Sequence, residues 1–311
     1  MAEEHIPVLL HECIEGLDIK PDGIYVDLTL GRAGHSSEIL KRLSSRGKLY
    51  GFDQDQEAID ASTERLNKIG NNFEVIKSNF ENIKQELEKR NVTHVDGILA
   101  DLGVSSPQFD KGERGFSYRF DDRLDMRMDL TSNLTAYDIV NTYELKDLTR
   151  IFREYGEEKY SYEIAKRIVN ERVRKPITTT YELVDIIKRS LPARELSKKG
   201  HPAKQVFQAL RIETNRELDV LKTMLKDALT LLSINGRLAV ITFHSLEDRI
   251  VKEQFKKVTT PMATPRGMPS MPGQDKVDYE LVNRKVIIAT EEEVSENHRS
   301  ESAKLRIIKR I

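Results

Sequence analysis

From Asp101 to Phe109 the chain reads Asp-Leu-Gly-Val-Ser-Ser-Pro-Gln-Phe, a carboxylate, two hydroxyls, a rigid proline and an aromatic ring in one short stretch. That set suits a nitrogen nucleophile that needs help. The exocyclic amine of a nucleobase is weak because its lone pair is delocalised into the ring. Acceptors for its N–H groups let the nitrogen move toward tetrahedral geometry as it attacks. Ser106, the carbonyls around Pro107 and the ring of Phe109 offer a side-chain acceptor, fixed carbonyls and a stacking face. Positioning for in-line attack is then the main catalytic contribution expected, with no metal and no covalent intermediate. Ser-Pro alone is ordinary turn chemistry, so its meaning depends on the elements that carry it.

A second chemical stretch, Asp27 to Glu38, reads DLTLGRAGHSSE and places Gly31 and Gly34 in the turn between a strand and a helix. Glycines there allow a sharp turn and close approach of a ligand, and the helix start offers unpaired N–H groups. Asp53 ends the next strand, where a carboxylate accepts both ribose hydroxyls of an adenosine. The turn is G-x-x-G and lacks the G-x-G-x-x-G of a pyrophosphate site. Asp27, Asp53 and Asp101 at three strand ends suit a cationic nucleoside such as S-adenosyl-L-methionine better than a nicotinamide dinucleotide. A nicotinamide-dependent dehydrogenase is the competing enzyme, and a non-catalytic RNA-binding scaffold is the competing non-enzyme.

Positioning these groups requires a sheet. Apolar runs at Gly23–Leu30, Lys48–Asp53, Phe73–Phe80 and Val95–Asp101 alternate with helical patterns at Ser36–Ser45, Gln56–Ile69 and Glu81–Asn91, the βαβ signature of a parallel sheet. From Thr135 to about Leu196 only helical patterns follow, and one long helix is predicted from Ala203 to Leu232. Strands return at Gly236–His244, Tyr279–Ala289 and Lys304–Ile311, with a helix at Leu246–Val258. The fold class is thus α/β, a seven-strand, mostly parallel Rossmann-like sheet interrupted by an all-helical insertion. The expected boundaries are 1–108 with 209–311 for the sheet domain and 109–208 for the loop and helical insertion.

Composition is that of a folded chain, 38% apolar and 32% charged. A single cysteine, Cys13, precludes an internal disulfide and thiolate zinc, and points to a reducing cytoplasm. His11 and Glu12 resemble half of a zinc-deaminase motif, but the later cysteine pair is missing, so no metal is expected. Apolar runs are too short for a membrane span and the start has acids where a secretory signal has bases, so no membrane partner is expected. The net charge of −1 hides an asymmetry: Lys146 to Arg216 holds 17 Lys/Arg against 10 Asp/Glu. A basic helical insertion suits a polyanion or is a solvated surface. Arg114, Arg119, Arg123 and Arg127, interleaved with Phe116, Tyr118 and Phe120, suit single-stranded RNA or a self-packed loop. His244 either reaches a base from the end of strand five or caps the following helix. The Pro/Met-rich stretch Pro261–Pro272 is placed to act as a lid.

Ser106-Pro107-Gln108-Phe109 resembles the Asp/Asn/Ser-Pro-Pro-aromatic motif of class I methyltransferases that act on exocyclic amines, with Gln108 in the second proline position. Together with HIPVLLHE (5–12), DLTLGRAGHS (27–36), RGFSY (114–118), LDMRMD (124–129), HPAKQVFQALRIETNREL (201–218) and FHSLEDRIVK (243–252), the chain resembles the bacterial 16S ribosomal RNA (cytosine-N4)-methyltransferase family. The resemblance implies a class I S-adenosylmethionine-dependent methyltransferase fold and N4 methylation of a cytidine in the decoding centre. It implies S-adenosyl-L-methionine as cofactor and 16S rRNA in a small-subunit particle as partner. Carried over, cofactor contacts fall on Ala33, Gly34, His35, Asp53, Phe80, Asp101 and Gln108. Catalytic positions fall on Ser106, Pro107, Phe109 and Asp101, with Arg114, Phe116, Arg127 and His244 on the substrate side.

Overall fold

The computed structural model describes residues 7–103, 114–261 and 276–311. The chain separates into two compact units, Met1–Gly103 with Leu218–Ile311, and Val104–Glu217.

The first unit begins with α1 (Leu10–Leu17) and continues β1 (Ile24–Asp27), α2 (Gly34–Leu40), β2 (Lys48–Asp53), α3 (Gln56–Asn67), β3 (Phe73–Lys77), α4 (Ile83–Glu88) and β4 (Val95–Asp101). The second contributes α5 (Ala136–Thr142), α6 (Leu145–Glu154), α7 (Ser161–Arg172), α8 (Thr180–Ser190), α9 (Ala193–Leu196) and α10 (Lys204–Asn215). After α11 (Glu217–Leu231) come β5 (Leu232–Thr242), α12 (Ser245–Thr259), β6 (Tyr279–Leu281), α13 (Glu291–Glu296) and β7 (Lys304–Arg310).

The seven strands form one sheet in the order β3-β2-β1-β4-β5-β7-β6, parallel except for β7, which pairs antiparallel with both neighbours. Its strands are apolar on both faces, as a sheet covered on both sides requires. Tyr25, Leu49, Leu99, Ala239 and Leu305 pack toward α1, α2 and α3, whereas Val26, Tyr50, Ile98, Leu238 and Ile308 pack toward α4, α11 and α12. Strand order reverses at β1, whose neighbours are β2 and β4. The crevice beyond the carboxyl ends of β1, β2 and β4 is therefore where an open α/β sheet binds its ligand.

The second unit is helical among its described residues. Its core joins Phe152, Ile164, Ile168, Leu183, Ile187, Phe207 and Leu210. Thr135 with Asp138 and Thr179 with Glu182 form capping boxes at the starts of α5 and α8.

Two predicted elements differ. The single helix expected from Ala203 to Leu232 is two helices, because Arg216 turns left-handed at φ 52°. The break is imposed by tertiary contact: Asn215 accepts from the Met128 N–H at 2.7 Å and donates to the Met126 carbonyl at 2.8 Å. The strand expected over Tyr279–Ala289 is laddered only over Tyr279–Leu281, with an isolated bridge from Ile287 to Leu305. Asn283 displaces the ladder, its side-chain oxygen accepting from the Ile307 N–H at 2.7 Å. Among the described residues no helix is long and apolar enough to cross a membrane.

Candidate active site

Asp27 ends β1 and organises the turn that follows. It is 1% exposed, accepts from the Ser36 hydroxyl at 2.7 Å and from the Thr29 N–H at 3.1 Å. Burial pushes its carboxyl above the usual range, and these hydrogen bonds pull the other way. A carboxylate bonded in this way shapes the loop that follows β1. Thr29 carries the order across to β4, its Oγ1 accepting from the Asp101 N–H at 2.7 Å. Sequence reasoning passed over Thr29 and Ser36, although Asp followed two residues later by Thr is an Asx-turn pattern.

The same loop is tied to β2. The Gly31 N–H donates to Asp53 Oδ2 at 2.9 Å, and the Asp55 N–H donates to Asp53 Oδ1 at 2.9 Å. Gly31 has φ 50°, which a residue without a β-carbon adopts cheaply. Ala33 is left-handed at φ 57° despite its methyl group and is completely buried, so the surrounding packing holds it there. Gly34 does not use positive φ. It makes room for Pro7, whose Cγ would lie 2.3 Å from any β-carbon at position 34. His35, 6% exposed, has Nε2 3.0 Å from the Val8 carbonyl, and burial pulls its imidazole down to about 4.

Register places the two remaining carboxylates. Asp27 lies opposite Gly51 of β2 and Leu99 of β4, so Asp53 and Asp101 flank the end of β1, roughly 10 Å apart across two strand spacings. Asp101 Oδ1 is buried and has no hydrogen-bond partner among the described residues. Burial, then the charges of Asp27 and Glu247, push its carboxyl up to about 8, with Arg299 pulling in the opposite direction. Asp53 is also raised, by burial first. Phe80 opens a short 3₁₀ turn after β3 and packs partly against the core, one strand farther out than Asp53.

A buried carboxylate oxygen without a partner among the described residues at the end of β4, a carboxylate beside a loop glycine at the end of β2 and an aromatic ring after β3 fit a nucleoside that carries positive charge. Asp53 would take the ribose hydroxyls, Phe80 the adenine face and Asp101 the cationic end, with Gly31 to His35 forming the wall. When bound, S-adenosylmethionine supplies an activated methyl group.

Ser106, Pro107, Gln108 and Phe109 lie outside the described residues, as does most of Pro261–Pro272. His244 is the N-cap of α12. Its Nδ1 accepts from the Glu247 N–H at 3.5 Å, and Glu247 Oε2 accepts from the Phe243 N–H at 2.8 Å. Glu247 Oε1 lies 3.0 Å from His244 Nε2 but outside hydrogen-bonding alignment. The helix-capping alternative is therefore what the geometry contains.

In the helical unit, Phe116 is 4% exposed and belongs to the core, so its ring is packed inside rather than offered to a base. Tyr118 stacks on His201 at 4.2 Å and meets Phe207 edge-on. Phe120, 46% exposed, is the aromatic of this loop that faces solvent. Arg114 and Arg127 both act on Asp125: burial opposes them, but the Arg127 hydrogen bonds and the nearby Arg114 charge hold that carboxyl below its ordinary value.

Arg127 is engaged inside the unit. It forms a two-pronged pair with Asp125 at 2.7 Å on each side, and Nη1 donates to the carbonyls of Leu130 at 3.0 Å and Ser132 at 2.8 Å. Arg127→Ala is expected to destabilise the protein by about 1.5–3 kcal/mol, because Asp125 and two carbonyls lose their donor. Denaturant unfolding measures this; a pure phosphate contact would leave the midpoint where it was.

A profile of the MraW methylase family matches residues 2–311. The ribosomal RNA small subunit methyltransferase H of Streptococcus mutans serotype c is 55% identical over 309 residues, covering 99% of this chain and 98% of that one. The protein of the same name from Exiguobacterium sibiricum is 54% identical over 308 residues, with the same coverage of 99% and 98%. Among solved structures, an rRNA methylase from Streptococcus thermophilus superposes with a TM-score of 0.40 at 13% identity, covering 99% of each chain. The chain thus belongs to the MraW methylase family.

Proposed function

We propose that this protein transfers a methyl group from S-adenosylmethionine to N4 of a cytidine in the decoding centre of 16S ribosomal RNA, acting on a small-subunit particle in the cytoplasm. The observation that carries this reading is the place of Ser106-Pro107-Gln108-Phe109 in the chain, starting five residues beyond Asp101, whose buried Oδ1 has no partner among the described residues and which ends β4 beside the reversal of strand order. The names of the whole-length relatives support ribosomal RNA of the small subunit as the substrate.

In this reading each group of the chain has one task. Asp53 and Phe80 orient the nucleoside, Asp101 holds the cationic end, and Gln108 adds a polar contact on the cofactor side. Ser106 and the carbonyls beside Pro107 accept hydrogen bonds from the two N–H groups of cytosine while Phe109 supports the ring. The N4–methyl bond forms as the sulfonium–methyl bond breaks to leave S-adenosylhomocysteine, and one N4 proton passes to solvent. Alignment and desolvation provide the rate, and no metal is needed. His244 stays at the margin of the base site, with its cap to α12 fixing the ring.

The helical unit is the proposed RNA-recognition part. Its excess of 17 Lys/Arg over 10 Asp/Glu between Lys146 and Arg216, and the exposed ring of Phe120, suit a backbone track with a stacking position. Arg114 lies on the same loop. The target base must leave its stack at a cost of about a few kcal/mol unless the particle presents it unpaired, so a structured particle is the better substrate than a short duplex.

Incubation with methyl-labelled S-adenosylmethionine and small subunits that lack the modification is expected to label a single cytidine as N4-methylcytidine. Label on a different base or atom, or no transfer to any assembly state, would overturn the proposal.

A further inference from the structure

The segment Pro7–Leu9 bridges two parts of the first unit that are far apart in sequence. On one side its proline ring occupies the space left by Gly34, and the Val8 carbonyl accepts from His35 Nε2 at 3.0 Å. A carbonyl only accepts, so Nε2 carries the proton, and the buried imidazole stays neutral in ordinary buffer. On the other side the Leu9 N–H donates to Glu293 Oε1 at 2.7 Å, a bond that spans 284 positions of sequence. Val8 and Leu9 are 3% and 0% exposed.

Leu9 is left-handed at φ 51°, a conformation that a leucine adopts only where its surroundings impose it. A carboxylate acceptor at 2.7 Å is such an imposition, since charge-assisted bonds to backbone N–H groups are the strong ones. Glu293 is itself placed by a short helix: its N–H caps onto Thr290 at 3.2 Å, and its carbonyl accepts from Asn297 at 2.7 Å. The linkage therefore runs from α13 through Leu9 and Val8 to Gly34 and His35, which form one end of the loop that begins at Asp27.

We infer that Glu293 is a positioning residue for S-adenosylmethionine: by holding Leu9 it seats Pro7 and Val8 against Gly34 and His35, and so keeps the Gly31–His35 wall in its ligand-ready shape. Glu293 makes no contact with the ligand in this scheme. Its loss lets Leu9 relax to negative φ, withdraws Pro7 from Gly34 and frees the His35 N–H. The inference deepens the assignment of this loop as the cofactor wall and rests on it.

The test compares Glu293→Ala with Glu293→Gln, whose amide oxygen still accepts from the Leu9 N–H. Calorimetric titration with S-adenosylmethionine is expected to give a Kd about tenfold weaker for the alanine variant and within about threefold of wild type for glutamine. In parallel, the hydrogen-bonded Nε2 proton of His35 in the proton NMR spectrum should vanish in Glu293→Ala and persist in Glu293→Gln. Wild-type affinity in Glu293→Ala, or a glutamine variant no better than alanine, would overturn the inference. An unchanged His35 signal in Glu293→Ala would overturn it equally. A wild-type protein that binds no S-adenosylmethionine would instead sink the cofactor assignment of the loop.

Discussion

Replacing Asp101 by asparagine is expected to weaken S-adenosylmethionine binding roughly 10- to 150-fold, the equivalent of the 1.5–3 kcal/mol that a charge-assisted hydrogen bond contributes. The side chain keeps its shape, so the loss reports charge. The variant is also expected to lose a pH dependence. In the free folded protein burial and the charges of Asp27 and Glu247 push the carboxyl up to about 8, against an ordinary value of 3.8 in the unfolded chain. Below pH 3.8 both states hold the proton and the shift has no effect on stability. As pH rises from there to about 8 the unfolded chain releases its proton first, so Asp101 progressively destabilises the free fold, and the penalty is complete above about 8. A cationic ligand favours the ionised form. Affinity should therefore climb with pH up to about 8 and then level off, with a proton released on binding. Calorimetry in buffers of different ionisation enthalpy reads that proton directly. Asp101→Asn should abolish both the release and the slope; if the slope survives unchanged, another group is titrating.

The second large effect belongs to Asp27. Asp27→Ala strips the acceptor from the Ser36 hydroxyl and the Thr29 N–H in a place where water does not replace it. A destabilisation of about 2–4 kcal/mol is expected, at one to two unsatisfied buried donors plus the lost packing. Because Thr29 passes the order on to the Asp101 N–H, cofactor affinity should fall in the same variant. Ser36→Ala separates the two: it removes one of the bonds and should cost about 1 kcal/mol of stability. Urea unfolding of both variants tests this. An Asp27→Ala protein as stable as wild type would mean that the loop is held by something else.

The elements were legible in the chain to different degrees, and the reasons are physical. The strands were plain because a sheet covered on both faces makes its strands apolar on both faces, as β1, β2 and β4 are. Capping boxes were equally plain in principle, since Thr179 and Glu182 state their own geometry within four residues. The end of α10 was not. Nothing in the leucine spacing of 204–231 marks Arg216, and the residue that stops the helix, Asn215, does so by holding Met126 and Met128 from another part of the fold. Asn283 hid the end of β6 for the same reason, a side chain substituting for a ladder carbonyl.

The site was legible in its positions more than in its roles. Asp53 and Asp101 could be placed from strand ends and loop length alone, because topology fixes where strand ends meet. Whether a carboxylate also holds its own loop is decided by the donors around it. Asp27 and Asp101 look equivalent in sequence, yet Ser36 and Thr29 bond to Asp27 whereas Asp101 Oδ1 has no partner among the described residues. Phe116 and Phe120 differ in the same way: both are aromatic and four residues apart, yet the first is 4% and the second 46% exposed. Arg127 had the composition of a phosphate contact and the geometry of an internal clamp.

The central claim is that the ends of β1, β2 and β4 gather cofactor and cytosine into one cleft. A structure of the protein with S-adenosylhomocysteine and cytidine measures it directly. The expected result has both ribose hydroxyls of the cofactor on Asp53, its amino acid end beside Asp101, and the cytosine N4 between Ser106 and the Pro107 carbonyls, facing the cofactor sulfur. A cofactor bound away from Asp53, or a cytosine whose N4 points away from the sulfur, would contradict the account.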